Sequence, residues 1–446
     1  MSLAKAAGML GCAVPDSGAE FEGIAIDSRQ IIDGNLFAAL AGENVDGHEF
    51  LQQAARRGAV AALVARQGDT VIPQLVVGDV QAALGTLAAH WRAIHDPMVI
   101  GITGSNGKTT TRKMLSAILG SVHPVLSTSG NYNNELGLPL TLFGMDKTHR
   151  FAVLEMGAAQ AGDIAYLSSI ARQQVGLVTN VGPAHLQGFG DEEGVARAKA
   201  EIYQALPENG IAVINEDDPW HPVFIEAAAG TQTLRFGHQL SCDVRMVTTG
   251  ERCRVATPAG EFDLQISLPG KHNQQNALAA TAVAVALEIP LDAIRQGLAN
   301  TEPESGRLNL LHSEQGWTVI DDTYNANPAS LYAALQVLSD HGGEPWLVLG
   351  DMKELGRNSR KLHAEMGEAA RILGVTRLFA LGDATHATVD AFGPGGRYFD
   401  SMASMVKTLC AELHQGVTCL VKGSRSMGME RVVQVISGSC QRREAG

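Results

Sequence analysis

Short apolar runs, each closed by a polar turn, recur along this chain. Near its start, Gly23-Ile24-Ala25-Ile26-Asp27-Ser28-Arg29 and Asn35–Leu40 read as strands, and the Ala/Leu-rich stretch Val80–Ile94 has helical spacing. His95-Asp96-Pro97 breaks that helix and marks a boundary. Strand-like runs then follow at Met98–Ile102, Phe151–Leu154, Val175–Thr179 and Ile211–Ile214, separated by helical stretches, which is the alternation of a mostly parallel sheet. From Leu234 to Leu268 the period shortens. Polar and apolar residues alternate, as in Phe262-Asp263-Leu264-Gln265-Ile266, and a few antiparallel strands are expected there. An alanine-rich helix spans Asn273–Leu287, and four more strands are expected at Thr318–Ile320, Trp346–Leu349, Leu378–Leu381 and Cys419–Val421. The chain of 446 residues exceeds one ordinary domain, and the pattern divides it into α/β units at 1–96, 97–311 and 312–446. The central unit should carry a mostly parallel sheet and the last a Rossmann-like one.

The ends of these strands hold the chemistry, as ligand groups in open α/β sheets do. Val99-Ile100-Gly101-Ile102-Thr103 runs into Gly104-Ser105-Asn106-Gly107-Lys108-Thr109-Thr110, a glycine-rich turn that opens a helix. Backbone N–H groups in such a turn point at a phosphate, Lys108 can reach the outer phosphates and the Thr109 hydroxyl can ligate Mg²⁺. A nucleoside triphosphate is the expected ligand. The common phosphate-loop pattern asks for glycine where this chain has Ile102, so the loop is a tighter form. Glu155 ends the next apolar run, where such proteins keep an acidic Mg²⁺ ligand, and His185 follows another strand end. Taken alone, His185 reads as a hydrogen-bonded loop histidine, but beside Glu155 and Thr109 a functional role is favoured; Lys199 alone reads as a solvated lysine, Arg307 as a surface arginine, and Asn273 suits a helix cap nearly as well as a ligand. Asn276 and Asn273 also have the paired donors and acceptors to read a purine edge. The polar segments Asp321–Pro328 and Gly350–Gly356 both lie past strand ends, which favours a binding role over plain turns.

Composition narrows the partners. The net charge of −13 argues against a nucleic-acid surface, so an anionic ligand must be held by a few placed cations and N–H groups. Six scattered cysteines without a C-x-x-C pair argue against zinc and a disulfide framework. No basic-then-apolar leader and no long apolar run is present, so no membrane insertion is expected and a reducing cytoplasm is the expected location.

Together these segments resemble the Mur ligase family, the ATP-dependent amide-forming enzymes of bacterial cell-wall precursor synthesis. The tight loop Thr103–Thr110, the Asn-Tyr-Asn-Asn-Glu segment 131–135, Glu155, the His185 loop, Lys199 in Ala-Lys-x-Glu-Ile, the His-Asn-x-x-Asn segment at 272–276 and Gly306-Arg307 occur in family order. Within the family, Asp322–Pro328 and Val348–Gly356 look like the member that adds D-alanyl-D-alanine, and the Asp-Asn-Pro-Arg motif of the lysine- or diaminopimelate-adding member is absent. The resemblance implies ATP and Mg²⁺ as cofactors, and UDP-N-acetylmuramoyl-tripeptide and D-alanyl-D-alanine as partners of a monomeric enzyme. It implies that Lys108 and the loop hold phosphates, with Asn134, Asn273, Asn276, Arg307 and Asp322 also on the nucleotide. Thr109, Glu155, His185 and a carbamylated Lys199 are implied as metal ligands, and Lys108, Lys199, His185 and Glu155 as the catalytic set. Ser28, Arg29, Asp46 and His48 would face the uridine nucleotide, and Tyr324, Asn325 and Asn327 the dipeptide.

Overall fold

The fold is a computed structural model that describes residues 1–42, 45–183, 186–248 and 253–438. Among them the strands form three sheets. The first takes β1 (Gly23–Ala25), β2 (Asn35–Ala38), β3 (Ala61–Val64) and β4 (Gln74–Val76), parallel and in that order. The second contains β5 (Met98–Thr103), β6 (Val125–Ser127), β7 (Phe151–Glu155), β8 (Val175–Val178), β9 (Ile211–Asn215), β10 (Gln232–Gly237), β11 (Val244–Thr248), β12 (Arg254–Thr257) and β13 (Gly260–Asp263). Their order is β13-β12-β11-β10-β9-β8-β5-β7-β6. The third contains β14 (Asn309–His312), β15 (Thr318–Asp322), β16 (Glu344–Gly350), β17 (Arg377–Leu381), β18 (Gly396–Phe399) and β19 (Val417–Lys422), ordered β14-β15-β19-β16-β17-β18. β14 already belongs to this sheet, ahead of the expected unit start at 312.

The few antiparallel strands expected after Leu234 are present as β11, β12 and β13, while β10 ahead of them pairs parallel with both β9 and β11. The outermost strands there expose one face, which gives the alternation, but β10 and the start of β11 still continue the parallel sheet.

The first and second sheets share a core. The helix Val80–His95, capped by the Asp79 side chain on Ala82 N–H, contributes Leu84, Leu87, Ala88 and Trp91 to a cluster that includes Leu138, Phe143 and Ile170 of the central unit. Trp91 Nε1 donates to the Met145 carbonyl at 3.0 Å inside that cluster. On the other face of the central sheet lies the helix Lys108–Gly120, with Leu115, Ile118 and Leu119 packed among Ala277, Ala280 and Leu298 of two later helices. At Gly297 a Cβ would come within 2.4 Å of the Ile118 Cα, so these helices meet backbone to backbone. Gly297→Ala is therefore expected to lower stability by about 1–3 kcal/mol through overpacking, despite alanine's better helix propensity. A fall in the urea midpoint with unchanged slope checks it; an unmoved midpoint contradicts it.

Candidate active site

β5 lies between β7 and β8, so its carboxyl end opens at the centre of the sheet. The sequence anomaly at Ile102 resolves here: its side chain is fully buried in the strand's core, and the turn begins only after Thr103. Two glycines are sterically required. Gly104 has φ +150° with the Thr179 hydroxyl 1.9 Å from any added Cβ, and Gly107 has φ +80° with the Asn276 Oδ1 2.2 Å away. The turn is stitched to the segment after β8. Asn106 N–H donates to Asn180 Oδ1 at 3.0 Å, the Thr179 hydroxyl donates to the Asn106 carbonyl at 2.6 Å, and Ser105 N–H donates to the Asn180 carbonyl at 2.9 Å.

Four side chains meet at the turn's mouth through three hydrogen bonds. The Thr109 hydroxyl donates to Glu155 Oε2 at 2.9 Å, Asn133 Nδ2 donates to Glu155 Oε1 at 2.9 Å, and Arg307 donates to the Thr109 Oγ1 at 2.9 Å. Glu155 is buried at the end of β7. Lys108 curls back onto the Gly104 carbonyl at 2.6 Å, and burial pulls its pKa down, opposed by Glu155 and reinforced by Arg307. Lys199 sits on the helix Glu192–Gln204 and is buried. Burial, then the nearby Lys108 charge, holds its pKa well below the usual lysine range, and among the described residues no side chain pairs with it.

These groups line a cavity of about 1160 Å³, larger than a typical single-ligand pocket. Its opposite wall comes from the third sheet and includes Asp322, Tyr324, Asn325, Asn327 and Lys422. Arg307 lies over the Tyr324 ring at 4.0 Å. The Lys422 ammonium, in register with Asp322 across β15 and β19, donates to Asp322 and to the Asn325 carbonyl. Asn327 caps the helix Pro328–His341 through Ser330 N–H, while its Nδ2 donates to the Asn106 Oδ1 at 2.8 Å. Thus the third sheet's wall is tied directly to the glycine turn.

The structure brings most of the expected residues together, with different immediate partners from those expected for several. Asn273 and Asn276 line the cavity, with Asn273 donating to the Pro269 carbonyl and Asn276 to Asn273. Asn134 lines it too and caps Gly137 N–H. Ser28, Arg29, Asp46 and His48 are not among the cavity's walls. Ser28 donates to Gln53, Arg29 pairs with Asp27, and Asp46 accepts from Arg66 and from His48, whose Nε2 accepts Ala65 N–H. His185 lies outside the described residues. The Gly350–Gly356 segment is corrected from a binding loop to a structural one: Asp351 accepts from Ala384 N–H, Thr385 N–H and Lys353, and His363 Nε2 accepts Met352 N–H. Sequence reasoning quoted Asn133 within the 131–135 segment without a role of its own, and assigned none to Arg112 or Lys422. Lys422 carried a signal, since it ends an apolar strand.

A phosphate-cradling turn with hard oxygen donors beside it, facing a second α/β wall, defines a nucleotide-binding protein that presents its nucleotide to another ligand. Three family models match in chain order: the Mur ligase family catalytic domain over residues 20–92, the Mur ligase middle domain over 102–284 and the Mur ligase glutamate ligase domain over 306–425. The chain belongs to the Mur ligase family. It is 40% identical over 429 residues to the UDP-N-acetylmuramoyl-tripeptide–D-alanyl-D-alanine ligase of Escherichia coli strain K12, covering 94% of this chain and 95% of that protein. MurF from Acinetobacter baumannii superimposes with a TM-score of 0.91 at 35% identity over 98% of each chain. MurF ligase from Thermotoga maritima in complex with ADP does so with a TM-score of 0.84 at 30% identity, over 93% of this chain and 97% of that one.

Replacing Lys108 with alanine should cut ATP turnover on the order of 100-fold or more while leaving the helix signal and melting behaviour intact. Phosphate release beside circular dichroism checks it, and normal turnover contradicts the role of the turn.

Proposed function

We propose that the chain joins D-alanyl-D-alanine to UDP-N-acetylmuramoyl-tripeptide at the expense of ATP. The observation that carries this reading is the cavity itself, which has a phosphate turn on one wall and the strand-end loop Asp322–Asn327 on the other. The relatives' names supply the substrates. The three proposed units, 1–96, 97–311 and 312–446, then serve the uridine nucleotide, ATP and the dipeptide.

The reaction divides into two displacements. A terminal carboxylate oxygen of the tripeptide attacks the γ-phosphorus, the bond from that phosphorus to the bridging oxygen breaks, and ADP leaves with the electron pair. The dipeptide amine attacks the resulting acyl phosphate carbon, the carbon–oxygen bond breaks, and phosphate and one proton are released. The protein's task is to align these groups and balance charge. Lys108 and the N–H groups of Gly104–Thr110 hold the β- and γ-phosphates, and Arg307 closes on them from beside Tyr324. Asn273, Asn276 and Asp322 are placed along the cavity for the nucleoside. Tyr324 and Asn325 face the dipeptide, with Asn327 holding their loop against the turn.

The residues fit Mg²⁺. The Thr109 hydroxyl and the Glu155 carboxylate are adjacent hard donors, and Mg²⁺ typically takes one or two such groups beside phosphate oxygens and water. When bound, the ion screens phosphate charge. A second ligand set, Glu155 with His185 and Lys199, requires Lys199 to carry a carboxylate. Its burial supports this: a neutral amine is the form that adds CO₂, forming an N–C bond and releasing one proton. The reading sets the reaction in the cytoplasm. No described helix is long and apolar enough to cross a membrane.

An amine-acceptor screen tests the function. With ATP and UDP-N-acetylmuramoyl-tripeptide, phosphate release should follow D-alanyl-D-alanine and stay at background with single amino acids; equal release with lysine or diaminopimelate would sink it. For Lys199, alanine replacement should nearly abolish turnover, and a short-chain carboxylic acid should restore part of it. Because burial lowers the Lys199 pKa, the neutral amine persists to lower pH than an ordinary lysine's and is lost as pH falls through that lowered value. Carbamate mass in native spectra should therefore fall with acidification, and a fully active Lys199→Ala enzyme refutes the role.

A further inference from the structure

Arg307 does not reach Thr109 on its own. It sits in the segment that connects the central sheet to the third, in a tight turn in which Arg307 N–H donates to the Glu304 carbonyl at 3.0 Å. That turn is conformationally demanding. Gly306 has φ +74°, and Leu308, a buried bulky residue, has φ +54°. Such a shape persists only where neighbours impose it.

The neighbours are two cations of the helix that follows the phosphate turn. Arg112 lies three residues after Thr109, on the same face of that helix. Its guanidinium is buried and reaches three ways. It donates to the Ser127 hydroxyl at 2.9 Å and to Glu304 Oε2 at 3.3 Å, and its Nε lies 3.6 Å from Glu155 Oε2. Lys113 adds a contact to the Pro303 carbonyl at 3.4 Å and to Glu304 at 3.8 Å. The contacts close a ring: Arg112 to Glu155, Glu155 to Thr109, Thr109 to Arg307, Arg307 through the turn to Glu304, and Glu304 back to Arg112.

We propose that Glu304 and Arg112 are positioning residues for Arg307, pinning the connecting turn to the phosphate-loop helix so that the guanidinium is aligned before ATP arrives. Neither residue touches the reacting atoms. Both carboxylates that Arg112 serves lie on Arg307's route to the nucleotide, so loosening Glu304 leaves Arg307 present but misplaced. The inference rests on the ATP-binding reading above.

A double-mutant cycle between Glu304 and Arg307 tests it. Glu304→Gln in the full chain should raise the KM for ATP about 3- to 10-fold and leave the KM for D-alanyl-D-alanine unchanged. In an Arg307→Ala background the same change should add nothing, because the group it positions is gone. Glu304→Asp, which keeps the charge on a shorter stem, should fall between and serves as the variant of record if Glu304→Gln does not fold. Arg112→Lys should retain part of the ATP affinity that Arg112→Ala loses. Additive effects, or an unmoved KM for ATP, overturn the proposal. Lys108→Ala assayed alongside separates the two failures: its inactivity with an additive cycle removes only this proposal, while its full activity removes the ATP-site reading itself.

Discussion

Two lysine side chains, a buried Lys199 and a half-buried Lys108, face one cavity with few anions beside them, and the rest of the site follows from that constraint. Burial disfavours an ammonium strongly enough that the group tends to shed its proton, unless an anion is supplied. Glu155 offsets this for Lys108, but for Lys199 the strongest charged influence after burial is Lys108 itself. The pair is thus electrostatically incomplete, and a polyphosphate or a carbamate is the kind of group that completes it. In a chain with net charge −13, capture of an anion depends on this local arrangement and not on a general field.

The same constraint explains why the third sheet matters to the phosphate turn. A site that must exclude water needs a roof, and the roof is fastened at two points. Asn327 ties its helix cap to Asn106, and Arg307 ties the connecting turn to Thr109. Both fastenings end on residues of the turn or of the helix it opens. The wall that carries the Asp322–Asn327 loop is consequently held against the phosphate loop by direct hydrogen bonds.

Much of this was legible in the sequence, for identifiable reasons. Period and strand-end chemistry located the sheets and put Lys108, Glu155 and Asp322 at carboxyl ends, because those rules depend only on local order along the chain. What failed depended on partners distant in sequence. Asp351 looked like a ligand group, but the N–H groups of Ala384 and Thr385 consume it. Arg112 reads as one more helix arginine until the fold brings Ser127, Glu304 and Glu155 around it.

The tight loop itself shows how sequence and fold interlock. Because Ile102 stays in the buried strand, the turn has only Gly104 to Gly107 in which to reverse, and it cannot hold its shape alone. Thr179 and Asn180, at the end of β8, supply the missing hydrogen bonds to Ser105 and Asn106. Shortening the loop therefore transfers part of its support to the neighbouring strand. A phosphate turn built this way is preorganised by the segment after β8, so a change at Thr179 or Asn180 is expected to be felt at the turn.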